Sequence, residues 1–302
     1  MFRMKERIDN ELVRKYLMYN NMILLIWKVG EMRRISGLER EKNKPIVKMI
    51  FILFITLSSI SCTNTLNNEN WIPLFNGVNL NNWTVKINGY PAGVNYKDLF
   101  RVENGLLKVS YDQCETFDDL FGHIFYNQKF SNYKLRVVYR FVGDQVSGAP
   151  KWAFRNSGVM LHSQSPESMA INQRFPVCFE AQLLGGEGTG ERTTANLATI
   201  GTKALHNGEI PPKMLVPSNS NTFHGDQWVK LEVEVYGDSL VRHRVNSEEV
   251  LTYMELQYDE TDQYAIKLLE KAGKKINSGY IAIQAESHPV EFRKIEILQL
   301  SK

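Results

Sequence analysis

Cysteine is scarce in this chain, three residues in 302. With Cys62 set aside at a processing signal, Cys114 and Cys178 allow at most one disulfide in the body, and they are read as two unpaired thiols. Excess charge is equally thin. The formal net charge of +3 comes largely from the first fifty residues, so the rest lacks a basic stripe and nucleic acid is excluded as a partner. The apolar run from Met49 to Leu57 is too short to span a bilayer comfortably. No His-Glu-x-x-His pair occurs, and the glycine-rich stretch Gly185-Gly-Glu-Gly-Thr-Gly190 lacks the Gly-Lys-Ser/Thr continuation of a phosphate cradle. It is read as a flexible turn. Internal repeats and linker-like drops in hydrophobicity are missing from 71–302.

What is present begins with a processing signal. Lys42, Lys44 and Lys48 precede the apolar run, which ends in Ser58-Ser-Ile-Ser-Cys62, the order of a signal peptide with a lipoprotein-type cleavage site. Residues 1–61 are therefore expected to be a leader, with Met32-Arg-Arg a better initiator than Met1; the rival for residues 1–31 is an extra membrane-associated helix. Cys62 is the expected lipid acceptor, although Ser59 stands where a leucine is usual. An ordinary secretory leader is the alternative. Residues 62–70 form a polar tether, and the expected location is the bacterial cell envelope, lipid-anchored, with the membrane contacted through the lipid alone.

From Trp71 onward short alternating runs predict strands at 106–109, 133–141, 158–162, 177–184, 229–236, 240–245, 280–285 and 292–298. Glu103-Asn-Gly105 and Val245-Asn-Ser-Glu-Glu-Val250 punctuate them as turns. Only 261–275 carries helical spacing. The fold class is all-β, a sandwich of mostly antiparallel strands within one domain, 71–302, with a closed barrel as second choice. The stretch 185–226 is predicted to be a long functional loop.

Strand periodicity places chemically capable side chains together. Val177, Phe179, Ala181 and Leu183 share one face, and Cys178, Glu180 and Gln182 the other. Ile281, Ile283 and Ala285 oppose Gln284, Glu286 and His288. Carboxylates, carboxamides and imidazoles on one sheet face suit a polyhydroxylated ligand. Arg155, Asn156 and Arg174 lie where loops meet the sheet edge, His162 ends a strand, Trp152 offers a ring to stack on a sugar, and His224 with Asp226 closes the long loop. The structural alternatives are a salt bridge for each arginine, a backbone cap for Asn156, a satisfied core role for His162 or Trp152, and a simple turn for His224. The alternation of Lys134, Arg136 and Arg140 with apolar residues reads as a solvated sheet face, or as a site for a sugar acid.

Four blocks in order, Trp152-Ala-Phe-Arg-Asn-Ser-Gly-Val-Met-Leu-His162, Phe179-Glu-Ala-Gln-Leu183, His224-Gly-Asp-Gln-Trp228 and Ile283-Gln-Ala-Glu-Ser-His-Pro-Val-Glu-Phe-Arg293, resemble the 3-keto-disaccharide hydrolase domain family. The resemblance implies a concanavalin A-like jelly-roll of two curved sheets with a sugar site on the concave face, and a secreted enzyme cleaving 3-keto glycosides or disaccharides. Such chemistry needs a base near C2 of the sugar, a stabilising group near the C3 oxygen and a proton donor for the leaving oxygen. Glu180 is the expected base, with Glu286 or His288 as its proton partner, and Arg155, Asn156, His162, Arg174, Gln182, Gln284, Trp152 and His224 as substrate contacts. No cofactor is certain. A divalent cation held by His162, Glu180, Glu286 and His288 is the one candidate. The competing reading is a noncatalytic carbohydrate-binding module; a structural surface lipoprotein leaves the clustered Glu, Gln and His unexplained.

Overall fold

The computed structural model describes residues 69–301. The leader, its alternative start, Cys62 and most of the tether lie outside the described residues. Glu69 already belongs to the folded body, since its carboxylate accepts from Trp71 Nε1 at 3.1 Å and pairs with Lys134 at 3.1 Å.

In chain order the strands are β1 (Ile72–Pro73), β2 (Trp83–Ile87), β3 (Phe100–Glu103), β4 (Leu106–Val109), β5 (Gly122–Phe130), β6 (Asn132–Phe141), β7 (Asn156–Ser163) and β8 (Cys178–Leu184), followed by β9 (Asn196–Ile200), β10 (Thr202–Leu205), β11 (Leu215–Val216), β12 (Val229–Tyr236), β13 (Leu240–Val245), β14 (Glu248–Tyr258), β15 (Gly279–Ala285) and β16 (Val290–Gln299). One helix, α1 (Ala265–Ala272), separates β14 from β15. The strands form two antiparallel sheets, one ordered β10-β14-β13-β12-β6-β16-β4-β3 with β1 beside β16, the other β11-β9-β8-β7-β15-β5-β2. This is a two-sheet jelly-roll sandwich; the barrel alternative is excluded by the two separate sheets.

Period-two alternation puts the core between the sheets. Val159, Leu161, Phe179, Ala181, Leu183, Ile281 and Ile283 from the seven-stranded sheet join Leu135, Val137, Leu231, Val233, Phe292 and Ile295 from the nine-stranded one in a single buried cluster. Burying such side chains removes apolar area from water at about 25 cal/mol per Å² and is the main force holding the layers together. The expected turns are two-residue hairpin loops. Asn104 and Gly105 have φ of 53° and 76°, and Asn246 and Ser247 have φ of 50° and 83°, the left-handed pair whose twist matches antiparallel strands.

The outer face of the nine-stranded sheet is ionic. Arg136 pairs with Glu232 and Glu296, Arg140 with Glu291, and Arg242 and Arg244 with Glu234. The guanidinium groups of Arg136 and Arg140 also lie 4.0 and 4.6 Å from the ring centres of Trp71 and Trp228. Each arginine of the predicted cationic streak is thus matched by carboxylate, which supports the solvated-face reading over a site for a sugar acid.

The stretch 185–226 differs from expectation because it contains β9, β10 and β11. β9 pairs with β8 in one sheet, whereas β10, one residue later, pairs with β14 in the other. Strands this short, broken by a change of sheet, carry too few alternations to register as periodic. The glycine-rich turn is also less free than expected: Gly186 donates to the Phe223 carbonyl at 2.8 Å and bridges to His224.

Ile283 is fully buried between the layers. Ile283→Ala is expected to cost about 2–5 kcal/mol, seen as a lower denaturant midpoint with an unchanged slope.

Candidate active site

Side chains of the seven-stranded sheet that do not enter the core face the opposite way. Part of that outer face is itself apolar, because Phe125, Met160, Cys178 and Ala282 pack beneath Met169 of the segment 164–176. Beside this patch the sheet opens into a hollow of ≈ 360 Å³ lined by Trp152, Asn156, Phe175, Glu180, Gln182, Ala198, Ile200, Met214, Leu215 and Glu286.

Glu180 stands on β8 with neighbours Met160 on β7 and Ala198 on β9. Its side chain lies across Gly158, where an added Cβ would fall 2.2 Å from the carboxylate Oε1. A glycine is required there because any side chain would occupy the carboxylate's place. Buried, and with no protein partner for Oε1, Glu180 has its pKa raised by burial to about 8. Glu286 follows the end of β15 and reaches the same hollow. Its pKa is raised well above the carboxylate range, first by burial and then by the negative charge of Glu180, with Arg192 opposing. Two carboxyl groups in one water-poor hollow cannot both ionise without mutual repulsion, so near neutrality the pair retains protons.

The carboxamides complete the polar part. Asn156 lines the hollow with its Oδ1 unpartnered within the protein. Gln182 accepts from Asn196 Nδ2 at 3.1 Å, so its NH2 group is directed to other acceptors. Gln284 is buried on the same sheet face with its Oε1 unpartnered; it does not line the hollow directly. Trp152 is 56% exposed at the rim and stacks on Phe121 at 6.1 Å between ring centres.

Five expected site residues lie elsewhere. His288 is wedged edge-on between Phe141 and Phe154, at 5.7 and 5.0 Å, and burial lowers its pKa to about 4. Strand alternation ends at Ala285, and Ser287 takes φ 87°, so His288 no longer shares a face with Glu286. His162 bonds the Gly237 carbonyl at 3.0 Å and meets the ring of Tyr133; its φ of 48° breaks the alternation that would have aimed it outward. Arg155 pairs with Asp226 at 3.0 Å and Arg174 with Asp119 at 2.8 Å, the loop salt bridges of the structural reading. His224 Nδ1 accepts from the Gly188 amide at 3.0 Å. Hence His162, Glu180, Glu286 and His288 do not form one cation site, and among the described residues no group of three or more His, Cys, Asp or Glu side chains converges for a metal.

The profile described as the 3-keto-alpha-glucoside-1,2-lyase-like domain matches residues 70–298. The chain belongs to this family. Membership places the protein in a carbohydrate-related, glycoside hydrolase-like class, and the match covers the whole sandwich. Curated proteins yield no match. Among solved structures, a candidate glycosyl hydrolase from Parabacteroides distasonis is 18% identical, with 78% of this chain and 96% of that one covered and a TM-score of 0.47. A protein with a galectin-like fold from Bacillus subtilis is 10% identical over 76% and 94% of the two chains at a TM-score of 0.38. A carbohydrate-binding module from the same organism is 9% identical over 59% and 82%, at 0.37.

Two residues of the lyase-like domain escape a reading of the sequence. Arg192, half-buried in the long stretch after β8, donates to the Gly185 carbonyl at 2.7 Å and is the cation whose charge reaches Glu286. His123 on β5 pairs in register with Gln284. It is fully buried with both ring nitrogens unpartnered in the protein, and burial followed by the charge of Lys86 lowers its pKa to about 3. Its signal was the alternation Gly122-His-Ile-Phe125, in which Ile124 enters the core and His123 does not.

The buried acid carries a cost that depends on pH. Unfolded, Glu180 titrates near its ordinary 4.5, and folded near about 8, so between these values the folded state holds an extra proton and stability is lost as pH rises. Glu180→Gln is expected to be more stable than the parent at pH 7.5 by about 2–4 kcal/mol, with the difference vanishing near pH 4.5. Thermal unfolding at the two pH values measures it, and an equal effect at both would contradict the burial argument.

Proposed function

We propose that this protein cleaves 3-keto glycosides by base-assisted elimination followed by hydration, for a net hydrolysis. The reading is carried by one observation: two buried carboxyl groups, Glu180 and Glu286, share a hollow whose other polar lining residues are the carboxamides Asn156 and Gln182. Glu180, with the less elevated pKa, ionises first and serves as base. Glu286 stays protonated and serves as acid.

A ketone at C3 acidifies the C2 hydrogen. The Glu180 carboxylate removes that proton, the electrons move into the C2–C3 enolate, and the enolate expels the C1 substituent while Glu286 protonates the departing oxygen. The products are an alcohol and an unsaturated keto sugar. In the second half the Glu286 carboxylate takes a proton from water attacking C1, and Glu180 returns its proton to C2, which restores both groups. Amide donors of Asn156 and Gln182 stabilise negative charge on the C3 oxygen, and the charge of Arg192 acts on Glu286. Lipid attachment at Cys62 would hold this activity at the cell envelope.

Purified protein incubated with a glucoside and with its 3-keto counterpart is expected to release the leaving group only from the keto compound. Glu180→Gln should lower kcat by about 10²–10⁴-fold. Tight binding of both compounds without turnover would point instead to a carbohydrate-binding module. The kcat/KM profile should rise with pH as Glu180 ionises near 8 and fall once Glu286 loses its proton.

Gly158→Ala tests the same site without touching a titratable group. The added methyl overlaps the carboxylate and Cγ of the buried Glu180 side chain, so stability should fall by about 1–3 kcal/mol while kcat falls at least about tenfold. Unchanged kcat would remove Glu180 from the chemistry.

A further inference from the structure

The hollow is divided along the strands. Gln182 on β8 lies opposite Gly158 on β7 and Asn196 on β9, whereas Cys178, four residues earlier on β8, lies opposite Ile200. Polar lining residues, Asn156, Gln182 and Glu286, thus gather toward the end of β8, and Glu180 stands between them and the strand's beginning. On the other side of Glu180 the lining changes character. Ala198 is its cross-strand neighbour, Leu215 on β11 pairs with Ala198, and Ile200 and Met214 extend the wall, while Phe175 packs with Phe121, which stacks on Trp152.

This second half offers no polar side chain. Its backbone is also engaged: the Met214 carbonyl accepts from the amide of Thr199 at 3.0 Å and from its hydroxyl at 3.3 Å. Met214 is 58% exposed and Leu215 41% exposed, so apolar surface is held open at the mouth instead of being folded into the core. A sugar pressed against such a wall would lose water from its hydroxyl groups and gain no partners, which is unfavourable for each group buried in this way. An aryl or alkyl body would replace water without that loss.

We infer that the half of the hollow bounded by Ile200, Met214 and Leu215 is a leaving-group subsite for an apolar alcohol, so that the preferred substrates are 3-keto glycosides of aryl-bearing or alkyl alcohols and not disaccharides. This rests on the cleavage reading above and narrows it to a substrate class. Glu180 sits at the junction, with the sugar on the amide side and the departing group on the aliphatic side.

The test compares two 3-keto glucosides, one derived from 2-phenylethanol and one from a second sugar; the sugar hydroxyl is the more acidic leaving group, so chemical reactivity alone would favour the sugar derivative and cannot produce the expected preference. The phenylethyl compound is expected to have the higher kcat/KM, by about tenfold or more. In Met214→Ser and Leu215→Ser, substitutions at partly exposed positions, the ratio of the two kcat/KM values should fall about tenfold. Circular dichroism of each variant confirms that it is folded. Turnover of both compounds with the sugar derivative preferred, or with a ratio that neither variant moves, overturns this inference and leaves the cleavage reading standing. Release from neither keto compound by folded parent protein overturns the cleavage reading and this inference with it.

Discussion

Placing Glu180 and Glu286 together on the outer face of one sheet is the constraint around which the rest of the molecule is arranged. Desolvation alone makes a buried carboxylate costly, and a second one nearby adds repulsion. The sandwich sustains the pair because its inner face is densely apolar: Phe179 and Ala181 flank Glu180 in sequence and enter the same core as Ile281 and Ile283. The strand therefore cannot rotate to release Glu180 into water without exposing the residues on either side of it. Core packing supplies the free energy, and strand alternation transmits it to the acid.

Local details serve the same end. Gly158 leaves room for the carboxylate to lie flat on β7, and the Ser157 hydroxyl donates to the Gln284 carbonyl at 2.8 Å, tying the two strands that flank the hollow. Arg192 is fixed by backbone carbonyls, with the Glu187 carboxylate 3.8 Å away, and its charge also moderates Glu286. The nine-stranded sheet behind this arrangement is covered by matched ion pairs and takes no part in the hollow.

The lining of the hollow is asymmetric for a structural reason. β7, β8 and the end of β15 bring amides and acids, whereas β9 and β11 border an edge of the sheet and present aliphatic side chains. A hollow formed where a polar row meets an apolar edge offers two different environments within one cavity, with the acid at their boundary. Such a division suits a reaction that separates a hydroxylated fragment from a less polar one.

Alternating runs such as Phe179-Glu-Ala-Gln-Leu183 made the antiparallel sandwich and the outward direction of Glu180 and Gln182 legible, because a two-residue period assigns faces without reference to other strands. Asn-Gly and Asn-Ser announced their hairpins for a similarly local reason. The same rule failed at His162 and His288, where a left-handed residue at or just before the histidine reverses the facing, a backbone choice that neighbouring strands impose. Arg155 and Arg174 were separable from Arg192 only once the loops had folded, since which arginine meets a surface aspartate and which acts on Glu286 depends on residues far apart in the sequence. Local periodicity thus determined the layers and the outward direction of Glu180 and Gln182; which side chains share the hollow, and its division into polar and apolar halves, was decided by the order in which distant strands lie side by side.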